Sequence, residues 1–265
     1  LYAALLTDQV NEFAYPAQLA GMSFAFYGHT QGIGLRVGGY SDKQTLLLKR
    51  LLGSIVEPNF SPRRFDDIRS DMIRSLKNAI AQRPSTQVVD DLNESLLYGQ
   101  WGEKALISAL ETTDLSQLDG YIRQFWRSAS AEALIYGNYE PGEAPQLSAM
   151  LQDIISSDPA PTVPKRRVLR LAAGESAQYV VDVPHDDSVV AWYLQGDGDT
   201  GYDRAATALT AQIMSSGFFQ ELRTEQQLGY VVGASSYSKL QVPGLLMLVQ
   251  SPVADANAVA VAMNN

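Results

Sequence analysis

Residues 218–230 read FFQELRTEQQLGY and end a long helical pattern that begins near Asp203. Gly229 is typical of a helix terminus, because glycine adopts backbone conformations that other residues avoid there. Two strand patterns and a final helical pattern follow, at 231–237, 245–250 and 254–265. The order helix, glycine, strand, turn, strand, helix predicts a small α+β unit.

The same order of elements occurs at the start of the chain. A helical pattern, with apolar residues at three- and four-residue steps, runs from Tyr2 to Gly21. Two strand patterns and a helical pattern follow it, at 22–27, 32–39 and 46–55. Gly21 and Gly229 thus take the same position in the two copies. The repetition predicts tandem copies of one α+β domain, each an antiparallel sheet packed with helices, and it rests on element order alone.

A proline-rich segment separates the two copies. Three prolines within six residues, at 159, 161 and 164, remove backbone donors and fix φ. We therefore predict an interdomain linker at 157–168, between domains at 1–156 and 169–265. Helical patterns dominate from 58 to 126. Further strands are predicted at 132–139, 178–183 and 189–194.

The composition excludes several functional classes. The chain has 265 residues, of which 46% are hydrophobic, with a net charge of −9 and a pI of about 4.7. An acidic average surface repels phosphate backbones, so nucleic-acid binding is disfavoured. No run approaches the ~18–20 apolar residues that a membrane span requires. The absence of cysteine excludes disulfides, thiolate nucleophiles and cysteine-based metal sites.

The chain starts at Leu1, with neither an initiator methionine nor a signal-peptide pattern. We therefore expect that the natural N-terminus is missing and that the last helix is cut short, so the sequence alone leaves the localisation unknown. Strand edges left unpaired at such ends are templates for pairing, which makes a homodimer a candidate partner state.

Arg223 and Tyr230 are the candidate site residues. They are seven positions apart, which on a continuous helix is close to two turns and puts both side chains on one face. A guanidinium offers fixed donors to a carbonyl, and a phenol offers one donor to a developing oxyanion. From the residues alone, the alternative is a surface arginine and a core-facing tyrosine at a helix end.

Three other patterns have simpler explanations. The alternating acids of residues 196–203 lack the glutamate of a calcium loop, because position twelve is Ala208. A solvated loop that leads into a helix cap explains them better. The glycines of residues 32–39 lie within a strand pattern and lack the spacing of a dinucleotide-binding loop. Ser215-Ser216-Gly217 has no partner histidine at a suitable place, so a serine nucleophile is disfavoured.

Residues 223–230, an Arg-Thr pair, two polar residues and Gln-Leu-Gly-Tyr, resemble a signature in the fourth homologous domain of the insulysin/pitrilysin zinc peptidases. The N-terminal part resembles the third domain of that family, in the right order and at fitting distances. The matching motifs are Leu1-Tyr2, Asn11-Glu12-Phe13-Ala14-Tyr15, Leu19-Ala20-Gly21 and Gly39-Tyr40-Ser41-Asp42-Lys43-Gln44. The resemblance covers nearly the whole chain and implies two mitochondrial-processing-peptidase-like α+β domains, without the first strands of the third domain and the end of the fourth.

The resemblance implies the non-catalytic, C-terminal half of a zinc endopeptidase, whose two halves close around short or medium peptides. Zinc is expected in the absent N-terminal half, held by a His-x-x-Glu-His motif. Neither His29 nor His185 is followed by Glu-His, so no catalytic residue, metal ligand or cofactor is expected in this fragment. By the same resemblance, Arg223 and Tyr230 reach across to the zinc site, bind the substrate backbone and help to hold the tetrahedral intermediate.

The implied partners are the N-terminal catalytic half of the same polypeptide and peptide substrates, with neither nucleic acid nor a membrane span. The bacterial periplasm is favoured over the cytoplasm by the resemblance. The fragment alone is predicted to be inactive. The rival hypothesis is a peptide-binding or scaffold module from an inactive peptidase homologue, which differs by lacking His-x-x-Glu-His upstream of Leu1. A free-standing enzyme ranks last, because no set of residues supports it.

Overall fold

The computed structural model describes residues 1–56, 58–80, 83–140, 142–152 and 162–264. Two compact units divide the chain, and each combines two segments. The first unit comprises Leu1–Ser75 and Ile107–Lys165, and the second comprises Leu76–Leu106 and Arg166–Asn265. These units differ from the linear boundaries 1–156 and 169–265, because residues 76–106 fold with the later segment. The assignment of the linear segments to family domains stays a prediction.

Helices dominate both units, and the strands form small antiparallel sheets. In chain order the elements are α1 (Tyr2–Leu19), β1 (Ser23–His29), β2 (Gly32–Gly38), α2 (Ser41–Val56), α3 (Pro62–Ile80), α4 (Pro84–Leu96), α5 (Glu103–Thr112), α6 (Leu115–Arg127), α7 (Glu143–Gln152), β3 (Ser188–Gln195), α8 (Gly201–Phe219), β4 (Val231–Ser236), β5 (Gly244–Ser251) and α9 (Ala256–Asn264). A π-helical turn, Gln220–Glu225, continues α8. The α+β class is confirmed, and so is the repeated order of helix, two strands and helix.

The core of the first unit forms where α1 packs against α2 and the β1–β2 hairpin. Its most deeply buried side chains are apolar: Leu5, Leu6, Val10 and Ala14 of α1 and Leu51 of α2. β1 pairs antiparallel with β2, and Phe26 lies opposite Leu35. Gly21 has a φ of 81°, a left-handed conformation that suits glycine, and it turns the chain from α1 into β1. The predicted end of this helix at glycine is therefore confirmed.

The second unit is built around β5, the central strand of a three-stranded antiparallel sheet in the order β3-β5-β4. Alternate side chains of β5 point to opposite faces. Leu245, Met247 and Val249 pack on the face that carries α8 and α9. Gln250 points to the other face, where the first turn of α4 contacts it. β5 is therefore buried on both sides, which explains its nearly continuous apolar sequence.

α8 begins at a capping box. The Thr200 hydroxyl accepts a hydrogen bond from the Asp203 backbone, and the Asp203 carboxylate accepts one from the Thr200 backbone. The Thr200 hydroxyl and backbone also hold the pKa of Asp203 below its ordinary value, the hydroxyl more than the backbone. This reciprocal pairing satisfies two donors at the start of the helix. The acidic residues 196–203 are thus a loop that leads into a helix cap, as predicted.

Two of the predicted strands are wrong. Residues 132–139 and 178–183 form neither strand nor helix. Their large apolar side chains are exposed, with Leu134 and Tyr136 at 94% and 93% and Tyr179 and Val180 at 79% and 86%. A strand needs a neighbour that pairs with its backbone groups, and within the described residues neither segment has one. A short run of strand-forming residues therefore did not suffice to predict a strand. The predicted strand at 189–194 is confirmed as β3.

The predicted linker at 157–168 lies partly outside the described residues, namely at 157–161. Of the described part, 162–168, residues 162–167 form no helix or strand, and Val168 forms an isolated antiparallel bridge with Leu97. Of the helices that the structure describes, none combines the length and the apolar character needed to cross a membrane.

The packing of α1 on α2 predicts the effect of a core truncation. Leu51 is completely buried, so Leu51→Ala should lower the free energy of unfolding of the first unit by about 2–5 kcal/mol, through lost burial and the cavity left behind. Leu46 lies on the same helix and is 55% exposed, so Leu46→Ala should change it by less than about 0.5 kcal/mol. Urea denaturation followed by circular dichroism measures both. Equal losses would contradict this packing.

Candidate functional site

The two predicted site residues lie on the segment that joins α8 to β4, in the second unit. The continuous helix expected between Arg223 and Tyr230 is wrong. The helix widens into the π-helical turn, in which the Gln226 amide donates to the Glu221 carbonyl at 2.9 Å, and it ends there. Gln227 then takes a φ of 53°, a left-handed conformation that breaks the helix before Tyr230. A shared helix face therefore does not bring these residues together.

The break has a physical cause at Gly229. A side chain on Gly229 would place its Cβ 1.9 Å from the Gln250 carbonyl oxygen, so the backbone at this position lies directly against β5. Leu222 anchors the preceding turn, because it is 2% exposed and packs with Val249 of β5 and Val259 of α9. Its carbonyl accepts a hydrogen bond from the Leu228 amide at 2.9 Å. The chain must leave the helix to make this approach.

Arg223 is hydrogen-bonded to the backbone of the residue that precedes Tyr230. Its Nη1 donates to the Gly229 carbonyl oxygen at 3.1 Å, which is the carbonyl of the peptide that joins Gly229 to Tyr230. The guanidinium carbon also lies 5.6 Å from the centre of the Phe219 ring, within the range of a cation–π contact. The side chain is partly buried. Among the described residues the guanidinium makes this one hydrogen bond, so its other N–H groups can donate to a ligand carbonyl.

Tyr230 is half-exposed, but its hydroxyl belongs to a polar network. The hydroxyl donates to Oδ2 of Asp187 at 2.9 Å. Nε2 of Gln250 donates to the same Asp187 oxygen at 2.7 Å and to the Tyr230 hydroxyl at 2.8 Å. Oε1 of Gln250 accepts from the Ser85 backbone amide at 3.2 Å. Four segments of the second unit therefore meet at one amide side chain: the start of α4, the turn before β3, the start of β4 and β5.

The network shifts two pKa values. Donation by Gln250 lowers the pKa of Asp187, and donation by Tyr230 acts in the same direction more weakly. The hydrogen bond to Asp187 raises the pKa of Tyr230, since a carboxylate acceptor favours the protonated phenol. The charge of Arg83 acts in the opposite direction on the Tyr230 pKa. At neutral pH the network therefore contains a charged Asp187 and a protonated Tyr230.

Sequence reasoning missed Asp187, Gln250 and Ser85 as members of this site. One signal for Gln250 was present, because it is the polar residue that directly follows the apolar run 245–249 on a predicted strand. A polar side chain on a buried strand needs partners. The side chain of His185 is 41% exposed, and its Nδ1 lies 3.7 Å from Oδ1 of Asp187. The sequence around Ser85 contains no signal that its backbone amide belongs to the site.

Two other features of the described residues do not support a catalytic or metal site. A cavity of about 370 Å³ lies between α8 and β4, lined by small residues such as Ala211, Ser215 and Ala234. None of its lining residues is charged or a histidine, so neither lining serine has a general base there. Among the described residues, no group of three histidine, cysteine, aspartate or glutamate side chains could hold a metal ion.

Two family models match the chain. One describes the middle or third domain of peptidase M16 and matches residues 1–109. The other describes C-terminal lobe domain 4 of PQQ synthase PqqF-like proteins and matches residues 209–265. The insulin-degrading enzyme of Homo sapiens is 30% identical over 258 residues, which is 95% of this chain and 25% of that relative. The chain thus spans about a quarter of the length of the curated relatives that it matches.

Solved structures have the same fold. Pitrilysin is similar with a TM-score of 0.78 and 20% sequence identity, over 95% of this chain and 27% of that structure. A peptidase M16 inactive domain from Pseudomonas fluorescens is similar with a TM-score of 0.60 and 16% identity, over 96% of this chain and 63% of that structure. At these identities the likeness shows the fold alone.

The close approach of Gly229 to β5 predicts that a side chain at this position destabilises the fold. Gly229→Ala should lower the free energy of unfolding by ~2 kcal/mol or more, because its Cβ would collide with backbone rather than with a movable side chain. Gly217→Ala is the matched control, since that position in α8 has nothing within 4 Å and should gain about 0.5–1 kcal/mol. Thermal unfolding measures both. A neutral Gly229→Ala would contradict the described turn.

Proposed function

Because this chain belongs to the insulysin/pitrilysin family of peptidases and corresponds to its C-terminal half, we propose that it is the non-catalytic, substrate-enclosing half of a zinc-dependent endopeptidase. The substrates of the whole enzyme would be short or medium peptides. The catalytic half would be the N-terminal part of the same polypeptide.

One observation carries the proposal. Arg223 and Tyr230 lie at a single turn, where a hydrogen bond joins the guanidinium to the Gly229 carbonyl and Tyr230 is 49% exposed. The segment that joins α8 to β4 therefore carries both a guanidinium with unused donors and a half-exposed tyrosine. This pair supports the role that the family resemblance implies for the two residues.

The two side chains suit different parts of a peptide that is being cleaved. The partly buried guanidinium offers N–H donors in a fixed fork, which can hold backbone carbonyls of an extended substrate. The phenol offers one O–H donor, which can stabilise the oxygen that becomes negative when water adds to the scissile carbonyl. Zinc held by His-x-x-Glu-His in the N-terminal half would activate that water. This chain would bind and orient the substrate and stabilise the developing charge.

The charge of the chain bears on which peptides are enclosed. With a net charge of −9, its average field attracts peptides that carry positive charge. A periplasmic location, which the family resemblance favours over the cytoplasm, is proposed on that resemblance alone.

Kinetics of a polypeptide that joins this chain to the zinc-bearing half test the proposal, with a quenched fluorescent peptide as substrate. Arg223→Ala and Tyr230→Phe should each lower kcat/KM by about ten-fold or more, because each removes a donor to the substrate or to the oxyanion. Tyr202→Phe is the matched control, since Tyr202 lies in the first turn of α8 and is 81% exposed. Wild-type kcat/KM in both site variants would refute the assignment.

A further inference from the structure

Gln250 is a polar side chain with no exposure to solvent, on the central strand of the second unit. A buried amide is tolerated only where its donors and acceptor are paired, and here both ends are used. The Ser85 backbone amide can only donate, so the atom that faces it at 3.2 Å must be the amide oxygen of Gln250. The orientation of the amide is therefore fixed, and Nε2 faces Tyr230 and Asp187.

This orientation determines where the proton of Tyr230 points. The hydroxyl oxygen, Nε2 of Gln250 and Oδ2 of Asp187 form a nearly equilateral triangle with sides of 2.7, 2.8 and 2.9 Å. Nε2 can only donate, so the hydroxyl oxygen accepts from it and the hydroxyl proton lies on the side of Asp187. The one donor of Tyr230 is thus already bonded to a carboxylate.

We propose that Gln250 and Asp187 are positioning residues that reserve the Tyr230 hydroxyl for the oxyanion of the transition state. Gln250 holds the hydroxyl oxygen in place, and Asp187 holds its proton until a substrate oxygen of comparable negative charge displaces it. This inference rests on the proposed function, because it concerns the role assigned there to Tyr230.

The selectivity follows from the strength of the competing acceptors. A hydrogen bond to a carboxylate is roughly twice as strong as one between neutral groups, so a neutral peptide carbonyl does not draw the proton away from Asp187. An oxyanion can draw the Tyr230 proton away from Asp187, because it is a charged acceptor like the carboxylate. Tyr230 therefore contributes little to binding of the ground state and more to the transition state, and an interaction of that kind raises kcat.

The exchange leaves no buried charge without a partner. When the Tyr230 proton turns to the substrate, Oδ2 of Asp187 keeps the hydrogen bond from Gln250 at 2.7 Å. The side chain of Asp187 is 10% exposed. Its other oxygen lies 3.7 Å from Nδ1 of His185, a nitrogen that accepts a hydrogen bond from the Asp187 backbone amide at 3.0 Å. The charged or titratable groups that act on the Tyr230 hydroxyl and its acceptor are Asp187, His185 and Arg83.

The pKa of Tyr230 reports on this network and can be measured on this chain without an activity assay. Tyrosine labelled with ¹³C at Cζ gives one resonance per ring, and Tyr230→Phe assigns the one that matters. In the wild type, the pKa of Tyr230 should lie above its ordinary value of 10.0. Asp187→Asn should lower it, because the carboxylate that favours the protonated phenol is gone while Arg83 and Gln250 remain. Gln250→Met should raise it, because the donor to the phenol oxygen is lost.

Two opposite shifts therefore identify the network, and a merely structural role for either residue would not produce them. An unchanged Tyr230 pKa in Asp187→Asn overturns the inference. Should that variant fail to fold, the upward shift in Gln250→Met carries the same decision, and its absence also overturns the inference.

Kinetics of the polypeptide with both halves separate this inference from the proposed function. Tyr230→Phe should lower kcat by about 10²-fold with KM nearly unchanged. Asp187→Asn should lower KM by about three-fold or more, because the freed hydroxyl then also binds the neutral carbonyl. A Tyr230→Phe loss that appears in KM alone overturns the inference and leaves the proposed function standing. Full activity in Tyr230→Phe would show that Tyr230 has no part in the proposed function, and it would overturn the inference as well, even if the pKa shifts are observed.

Discussion

The burial of one amide, that of Gln250, is the constraint on which the second unit depends. β5 is covered on both faces, so a polar side chain at this position must find all its partners inside the protein. It finds them in the backbone of α4, in Asp187 before β3 and in Tyr230 before β4. The strand that carries the amide also sets the path of the preceding turn, since Gly229 lies against the Gln250 carbonyl. Fold and site therefore share one set of contacts.

Most of the regular structure was predictable, because it depends on patterns within short segments. The apolar face of α1, the β1–β2 hairpin, the Thr200 cap and the strands on both sides of 237–244 follow from local spacing. The predictions of strands at 132–139 and 178–183 were wrong, because a strand also depends on a neighbouring strand, which the local sequence does not show. The helix break before Tyr230 was missed for a similar reason, since it results from contact with a strand about 20 residues later.

The site was predictable only in part. Arg223 and Tyr230 were selected by their chemistry and by resemblance to a signature, and the structure places them at one turn by a route that the sequence did not suggest. Their supporting residues are distant in the chain, since Ser85 and Gln250 are 165 positions apart and Asp187 and Gln250 are 63 apart. The two site residues also differ in whether their hydrogen-bond donors are available to a ligand. Arg223 has donors to offer, whereas the donor of Tyr230 is held by Asp187.

A complementation assay decides whether this chain is the helper half of a peptidase. The chain and the separately expressed upstream half are assayed with zinc, alone and mixed, on a quenched fluorescent peptide. Our account predicts that each part alone is inactive, that the mixture cleaves the peptide, and that Arg223→Ala suppresses this activity. An inert mixture, with an upstream half that binds zinc, would contradict the account and favour a peptide-binding or scaffold module.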